Sequence, residues 1–487
     1  MEQSNLKGSV VSGFAWRFAE RCGAQLVSFI VSVVLARLLE PSMYGTIALI
    51  TVFTTILQIF VDCGIGTALI QKKDADDLDF STVFYTNIVF CTVLYTGMFF
   101  CAPLIANFYC DLTLTPLLRV LSLTIVIAGV KGVQQAYVAK QMIFKRFFFA
   151  TLGGTITAAV VGIYMAYRGY GVWALVAQQL TNLTIDTIIL WITVKWRPKW
   201  MFSFARLKGL FSFGWKLLVS SLIQTTYNDI RQLIIGKMYS PADLAFYNKA
   251  KQFPTLVINN INTSIDSVLL PAMSSVQESK EHVKSMTRRS IKVSTYLMAP
   301  LMMGLAFLAT PVIRLILTAK WLPCVPYMVI FCITYLFFPI HTANLNAIKA
   351  MGRSDLFLKL EIIKKIVGIT ALLLTMWHGV MAMAYSLLFT SVASQIINAW
   401  PNKKLLNYRY FDQLKDILPG ILLAVFMGAC IYPIQFIGLP DIIMLAIQIP
   451  LGAAIYILGS VVLKLEAFGY VWDMVKSVLG KFHKEEQ

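Results

Sequence analysis

Acidic residues are few in this 487-residue chain: 24 Asp and Glu stand against 42 Lys and Arg. Charge of either sign is scarce, at 14% of residues, while 58% are hydrophobic and the mean hydropathy is +0.70. So little charge cannot solvate a globular surface of this size, which excludes a soluble domain and leaves an all-α polytopic membrane protein. Histidine is scarcer still. His282, His341, His378 and His483 form no cluster, and the eight cysteines show neither a C-x-x-C pair nor metal-ligand spacing. No metal site, cofactor or nucleophile–base pair is therefore expected, and the chain reads as a non-enzyme. No cleavable leader is expected: the first apolar segment runs past the core of a signal peptide with no small-residue cleavage site after it, and is expected to stay as a span.

The formal charge of +18 would suggest nucleic acid in a soluble protein. In a membrane protein the excess belongs to topology, and no nucleic-acid partner is expected.

What is present is a repeat. Trp16, Arg17, Gln25 and Ser28 precede Ala36-Arg37-Leu38-Leu39-Glu40-Pro41; Trp215, Lys216, Gln224 and Tyr227 precede Gly236-Lys237-Met238-Tyr239-Ser240-Pro241. Two similar halves follow from a repeat of this length. At 100° per residue, Arg17, Arg21, Gln25, Ser28 and Ser32 share one narrow stripe of a helix, as do Lys216, Ser220, Gln224, Tyr227 and Arg231. A cation against lipid costs at least ~2.5 kcal/mol near the bilayer centre. Both stripes are therefore expected to face each other across a central cavity.

Spans are expected near 12–36, 44–70, 82–104, 116–138, 147–167 and 171–194, then 212–236, 253–276, 292–318, 325–348, 357–376 and 380–400, with two more at 417–436 and 441–463. That makes fourteen, arranged as two six-helix repeats plus two C-terminal helices. The corresponding domains are an N-lobe (1–194), a basic aromatic cytoplasmic linker (195–211), a C-lobe (212–400), the last helix pair (401–463) and a cytoplasmic amphipathic tail (464–487). Lys195-Trp196-Arg197-Pro198-Lys199-Trp200 in the linker is expected to lie at the membrane interface. Most lysines and arginines fall in loops on one side, which places both termini in the cytoplasm. The opposite loops are short, the longest spanning about Lys237 to Gln252. The last two spans carry no polar stripe and are expected outside the cavity, as packing or as a groove for a lipid tail. Prolines concentrate in the second half, whereas Pro41, Pro103 and Pro116 are expected at span ends.

Ala36-Arg37-Leu38-Leu39-Glu40-Pro41-Ser42-Met43-Tyr44-Gly45 resembles the A-R-x-L-x-P-x-x-Y/F-G motif of the Wzx-type oligosaccharide flippases, the polysaccharide-transport family of the multidrug/oligosaccharidyl-lipid/polysaccharide (MOP) exporters. Asp62-Cys63-Gly64-Ile65-Gly66-Thr67-Ala68-Leu69-Ile70-Gln71-Lys72-Lys73-Asp74 is similar to the segment closing that family's second helix. The resemblance implies two lobes around a cavity that opens to alternate sides. It implies a flippase that moves a polyprenyl-pyrophosphate-linked oligosaccharide, a lipopolysaccharide O-antigen, capsule or exopolysaccharide unit, to the outer leaflet of a bacterial inner membrane. Arginine offers bidentate donors to phosphate, so Arg17 and Arg21 are the first choice for the pyrophosphate, followed by Lys216 and Arg231. Gln25, Ser28, Ser32, Gln224 and Tyr227 would line the sugar path. The related murein-precursor flippases carry a further arginine in the eighth helix. Residues 253–276 hold none, so Lys216 or Arg231 would substitute. Coupling to Na+ or H+ would need a cavity carboxylate, for which Asp62 is the candidate.

Partners implied are the lipid-linked oligosaccharide, membrane lipid, and a polymerase with other polysaccharide-assembly proteins; a monomer is expected. Two other transport or enzyme readings remain open at this point. A cation-coupled multidrug exporter would favour acidic cavity residues, and here the stripes are basic. A membrane polysaccharide polymerase would need a sizeable outer loop with catalytic side chains. The sugar repeat itself leaves no linear signature.

Overall fold

The structure, a computed structural model, describes residues 2–62, 65–72, 74–473 and 476; the side chains of 2–15, 18, 62, 65, 67, 212, 213, 260, 263, 264 and 266–268 fall outside the description. Every regular element among the described residues is helical. Eleven helical segments among them are long and apolar enough to cross a membrane. The chain is a multi-pass, all-α membrane protein.

Two compact units divide it, Met1–Ala245 and Phe246–Gln487. The first contains α1 (Glu2–Leu38), α2 (Pro41–Asp62), α3 (Ile65–Gln71), α4 (Asp77–Tyr109), α5 (Leu114–Leu121), α6 (Leu123–Lys140), α7 (Lys145–Tyr167), α8 (Val172–Thr193) and α9 (Phe204–Met238). Helix α10 (Pro241–Ser274) crosses into the second unit, which continues with α11 (Lys280–Phe307), α12 (Ala309–Leu317), α13 (Val325–Leu336), α14 (Phe338–Ala350), α15 (Ser354–Thr375), α16 (Val380–Leu405), α17 (Tyr410–Ile431) and α18 (Asp441–Val462). Helices α9, α10 and α15 have the length to span, but polar side chains interrupt their apolar runs, and they are not among the eleven segments.

The repeat is visible in the helix boundaries. Helix α1 ends at Leu38 and α9 at Met238; α2 starts on Pro41 and α10 on Pro241. Proline at a first helical position forfeits no hydrogen bond, because that N–H has no intrahelical partner anyway. Each junction closes alike, Leu39 N–H donating to the Leu35 carbonyl and Tyr239 N–H to that of Ile235, both at 2.9 Å. Gly45 then explains itself. A Cβ there would lie 1.6 Å from the Pro241 carbonyl oxygen, so the start of α10 packs on the bare backbone of α2.

Several expected spans are divided. The 116–138 span breaks at Ser122 into α5 and α6, the 292–318 span at Leu308, and the 325–348 span at Phe337, two residues before Pro339. The expected 44–70 span is helical over Pro41–Asp62 and Ile65–Gln71, with residues 63 and 64 outside the description. Residues 280–292, expected as a basic loop, form the first turns of α11, capped by Ser279, whose hydroxyl accepts from His282 N–H. The expected loop from Lys237 to Gln252 reduces to a two-residue turn before α10, where Ser240 and Asp243 cap reciprocally. Pro103 lies inside α4 rather than at its end, since α4 continues to Tyr109.

The linker is not wholly interfacial. Trp196 is buried with Phe80, Phe84, Val133, Phe147 and Leu190 in the core of the first unit, and its ring stacks on Tyr137. Trp200 is 96% exposed, and its ring stacks on Tyr85. The tail is helical over 466–473, and most of the expected amphipathic face, Val475, Val478, Leu479 and Phe482, lies outside the described residues.

Candidate functional site

The two polar stripes ride on helices held by different partners. Helix α1 packs along α7: Trp16 meets Phe148 edge to face at 5.3 Å, and the Thr151 hydroxyl donates to Glu20 Oε1 at 3.0 Å. Helix α9 packs chiefly on α2 and is fastened near both ends. At its start, Arg206 reaches both oxygens of the buried Asp79 at 3.1 and 3.0 Å, and Ser203 N–H donates to the Thr82 hydroxyl at 3.1 Å. Near its end, the Tyr109 hydroxyl donates to the Leu233 carbonyl at 3.3 Å, and the Lys237 ammonium donates to the Phe108 carbonyl. Between these fastenings Lys216, Ser220 and Gln224 are exposed.

Of the expected phosphate partners, Arg21 and Lys216 are exposed with no ion pair among the described residues. Arg17 has company. Its guanidinium lies 2.9 Å from Glu20 and 4.1 Å from the centre of the Phe147 ring, a carboxylate and a π-face that both favour the cation. It also lines a cavity of about 240 Å3 with Asn87, Gln135, Gly132 and Phe147. Arg231 is half-buried, and its Nε is enclosed without a hydrogen-bond partner among the described residues.

Along the expected sugar path, Gln25 and Ser28 are exposed and Ser32 is half-buried, its carbonyl accepting from the Tyr44 hydroxyl at 3.4 Å. The Gln224 amide donates to Asn228 at 3.4 Å, and Tyr227 is half-buried. Asp62 belongs to the last turn of α2, but its side chain lies outside the described residues. Asn87 and Gln135 were not singled out by sequence. Asn87 is an amide in a mostly apolar stretch of α4, and Gln135 follows Gln134 in α6; amides in membrane-length helices are the signal that could have found them.

Several other intramembrane charges among the described residues have local partners. Lys131 pairs with Asp186 at 2.5 Å, both nearly buried; Arg119 lies 4.0 Å from the Phe99 ring centre and donates to its carbonyl. Asp229 accepts from Gln232 at 2.7 Å. Among the described residues no group of three His, Cys, Asp or Glu is placed to hold a metal ion.

The loop joining α3 to α4 anchors the linker electrostatically. The Asp76 carboxyl is held below the usual carboxylate range, first by the Asp79 backbone N–H it accepts and further by Arg206 and Lys72. Lys72 in turn lies 2.6 Å from Asp79.

Comparison with known proteins fits this architecture. Teichuronic acid biosynthesis protein TuaB of Bacillus subtilis is 24% identical over 460 residues, covering 92% of this chain and 94% of that protein. Lipopolysaccharide biosynthesis protein WzxC of Escherichia coli K12 is 21% identical over 416 residues, 85% of this chain and 82% of its own. The solved structure of lipid II flippase MurJ in an inward closed conformation matches the fold with a TM-score of 0.74 at 15% identity, covering 92% of this chain and 98% of that one. The family described as "Polysaccharide biosynthesis protein" matches residues 34–326. The chain belongs to that polysaccharide biosynthesis protein family.

Proposed function

We propose that this protein is a flippase: it carries a polyprenyl-pyrophosphate-linked oligosaccharide from the cytoplasmic to the outer leaflet of a bacterial inner membrane, with both termini cytoplasmic. The observation that carries the reading is the pair of polar stripes on α1 and α9. Arg21, Gln25 and Ser28 on one, and Lys216, Ser220 and Gln224 on the other, stay open on helices otherwise fit for lipid. Cations with no ion pair among the described residues there need a compensating anion or water, and a pyrophosphate is a compact anion that binds strongly where the dielectric is low. Supporting it are relatives matching nearly the whole chain, whose names place them in the biosynthesis of cell-surface polysaccharides.

Within this reading Arg21 and Lys216 meet the pyrophosphate. Arg17, shared with Glu20, serves it as a second contact beside the amides of Asn87 and Gln135, where a sugar would be hydrogen-bonded. Arg231 supplies the further contact that the absent arginine of 253–276 would otherwise make. Gln25, Ser28, Ser32, Gln224 and Tyr227 supply the wet path. Translocation makes and breaks no covalent bond, so the protein works without catalysis and without a cofactor. It acts as a monomer and hands its cargo to a polymerase. Asp62 is the residue through which Na+ or H+ would drive the cycle; transport by Asp62→Asn that matches wild type across pH and sodium removes that role.

Cells lacking the protein provide the test. The leaflet on which lipid-linked oligosaccharide accumulates is measured, then wild type and an Arg21→Ala, Lys216→Ala variant are restored. Substrate trapped on the cytoplasmic face and released only by wild type is the expected result. Accumulation of unpolymerised units on the outer face would instead place the protein after translocation.

A further inference from the structure

The second unit contains a cationic cavity that the transport stripes do not use. It measures about 300 Å3 and sits where α11, α17 and the residues following α18 converge, at the end of the unit that carries the basic segments 280–292 and 403–404. Arg288, Lys292, Lys415 and Lys464 line it, against Asp416 and Glu466. Four cations face two carboxylates.

The two acids are fully engaged. Asp416 accepts from Arg288 Nε and Nη2 at 2.8 Å each, from the Tyr408 hydroxyl at 2.7 Å, and lies 3.0 Å from the Lys292 ammonium. Glu466 pairs with Lys292 at 2.5 Å from a mostly exposed position. Lys415 and Lys464 make no ion pair among the described residues, which leaves two positive charges on the cavity without a counter-ion. An independent sign of a missing ligand comes from Thr295. It lines the same cavity at 1% exposure, and its hydroxyl is buried with no hydrogen-bond partner among the described residues, a state that ordinarily marks an unfilled polar contact.

Lys464 adds backbone evidence. It follows α18 at φ +49°, where Lys464 N–H donates to Val461 and Leu465 N–H to the Ser460 carbonyl. That αL stop is the place of glycine in most helices, and a lysine held there keeps an ammonium at the cost of strain. Immediately beside it, the exposed Ile457, Leu458, Val461 and Val462 form an apolar face at the end of α18.

We propose that this cavity is a binding site for the phosphate of a lipid headgroup. Lys415 and Lys464 contact the phosphate, the Thr295 hydroxyl donates to it, and the acyl or prenyl chain lies along α18. The site is separate from the flippase reading, because none of its residues belongs to the α1 or α9 stripe.

The test uses the full-length protein in phosphatidylcholine nanodiscs, with retained lipid counted by native mass spectrometry and melting temperature followed in parallel. Two probes are added separately, phosphatidylglycerol and undecaprenyl pyrophosphate, with inorganic pyrophosphate as the chain-free control. Wild type is expected to retain one lipid and melt higher. Lys415→Ala with Lys464→Gly removes two charge-assisted contacts, so retention weakens about tenfold or more. Lys464→Gly alone relieves the αL strain, so it should raise the melting temperature in phosphatidylcholine while weakening retention, a divergence that a purely structural lysine would not produce. Preference for phosphatidylglycerol identifies a resident membrane lipid, and preference for the prenyl pyrophosphate identifies the cargo lipid; either supports the site. Equal loss in a Lys403→Ala, Lys404→Ala control, or retention unchanged in the double variant, overturns it.

Discussion

Replacing Gly45 by alanine tests the packing that joins the two repeats. The added Cβ would sit 1.6 Å from the Pro241 carbonyl oxygen, 2.4 Å from its carbonyl carbon and 2.9 Å from its Cα. All three are backbone atoms, so no side-chain rotation relieves the clash, and the start of α10 must move by roughly 2 Å in a close-packed setting. Overpacking of this kind costs typically ~1–3 kcal/mol, and a backbone obstacle puts Gly45→Ala near the top of that range. Alanine returns ~1 kcal/mol of helix propensity, leaving a net loss of about 2 kcal/mol. At ~2–4 °C per kcal/mol for a unit of this size, the melting temperature should fall by roughly 4–8 °C. Gly97→Ala in α4 is the matched control: its Cβ meets nothing within 4 Å, so it should leave melting unchanged or raise it. Both variants are compared in nanodiscs by intrinsic fluorescence. A Gly45→Ala protein that melts with Gly97→Ala refutes the close approach.

The buried Lys131–Asp186 pair should behave as a unit: Lys131→Met or Asp186→Leu alone costs about 3–5 kcal/mol, while the double replacement recovers most of it, as a thermodynamic cycle from melting curves would read. Arg17→Lys should fail to restore Arg17→Ala in a surface-polysaccharide assay, because an ammonium cannot lie flat on Phe147; full rescue by lysine would leave only charge as the requirement. Asp76→Ala should lower stability by about 1 kcal/mol through the lost N-cap of α4. Asp76 also sets a pH dependence. Its folded carboxyl is depressed, so its contribution is complete above the unfolded value near ~3.9 and fades as pH falls through the lower folded value. Melting should hold from neutral pH to about 5, and Asp76→Asn should flatten the acid limb below it.

Sequence made the repeat legible because proline and small residues mark both junctions. Pro41 and Pro241 start their helices, and the stripe at 100° spacing put Arg21, Gln25 and Ser28 together on what is an open part of α1. The break at Ser122 left no such mark, whereas the one at Leu308 stands three residues before Pro311, whose ring and missing N–H rule out a helical bond to the Phe307 carbonyl. Arg17 and Glu20 were readable as neighbours one turn apart, whereas Lys131 meets Asp186 and Arg288 meets Asp416 only through the fold. Trp196 misled for a similar reason: basic and aromatic residues beside a span read as interfacial, yet its ring completes the core around Phe80 and Tyr137.

Charge compensation separates the cations of this protein by role. Where a basic side chain only needs to survive inside the protein, a partner is built in: Lys131 has Asp186, Lys364 has Glu361, and Arg119 has the Phe99 ring and carbonyl. Such pairs gain little net stability over an apolar replacement, but they leave no charge to attract a ligand. Among the described residues, Arg21 and Lys216 break that pattern on the stripes, and Lys415 and Lys464 break it at the cavity beside α18. A cation kept without a counter-ion on an apolar helix is tolerated only where water or an anion reaches it. Of the two places, the stripes carry amides and hydroxyls suited to a sugar, and the cavity adjoins an apolar face suited to a hydrocarbon chain. A lipid-linked oligosaccharide contains both chemistries on either side of a pyrophosphate, which is why one substrate class fits both sets of unpaired charge.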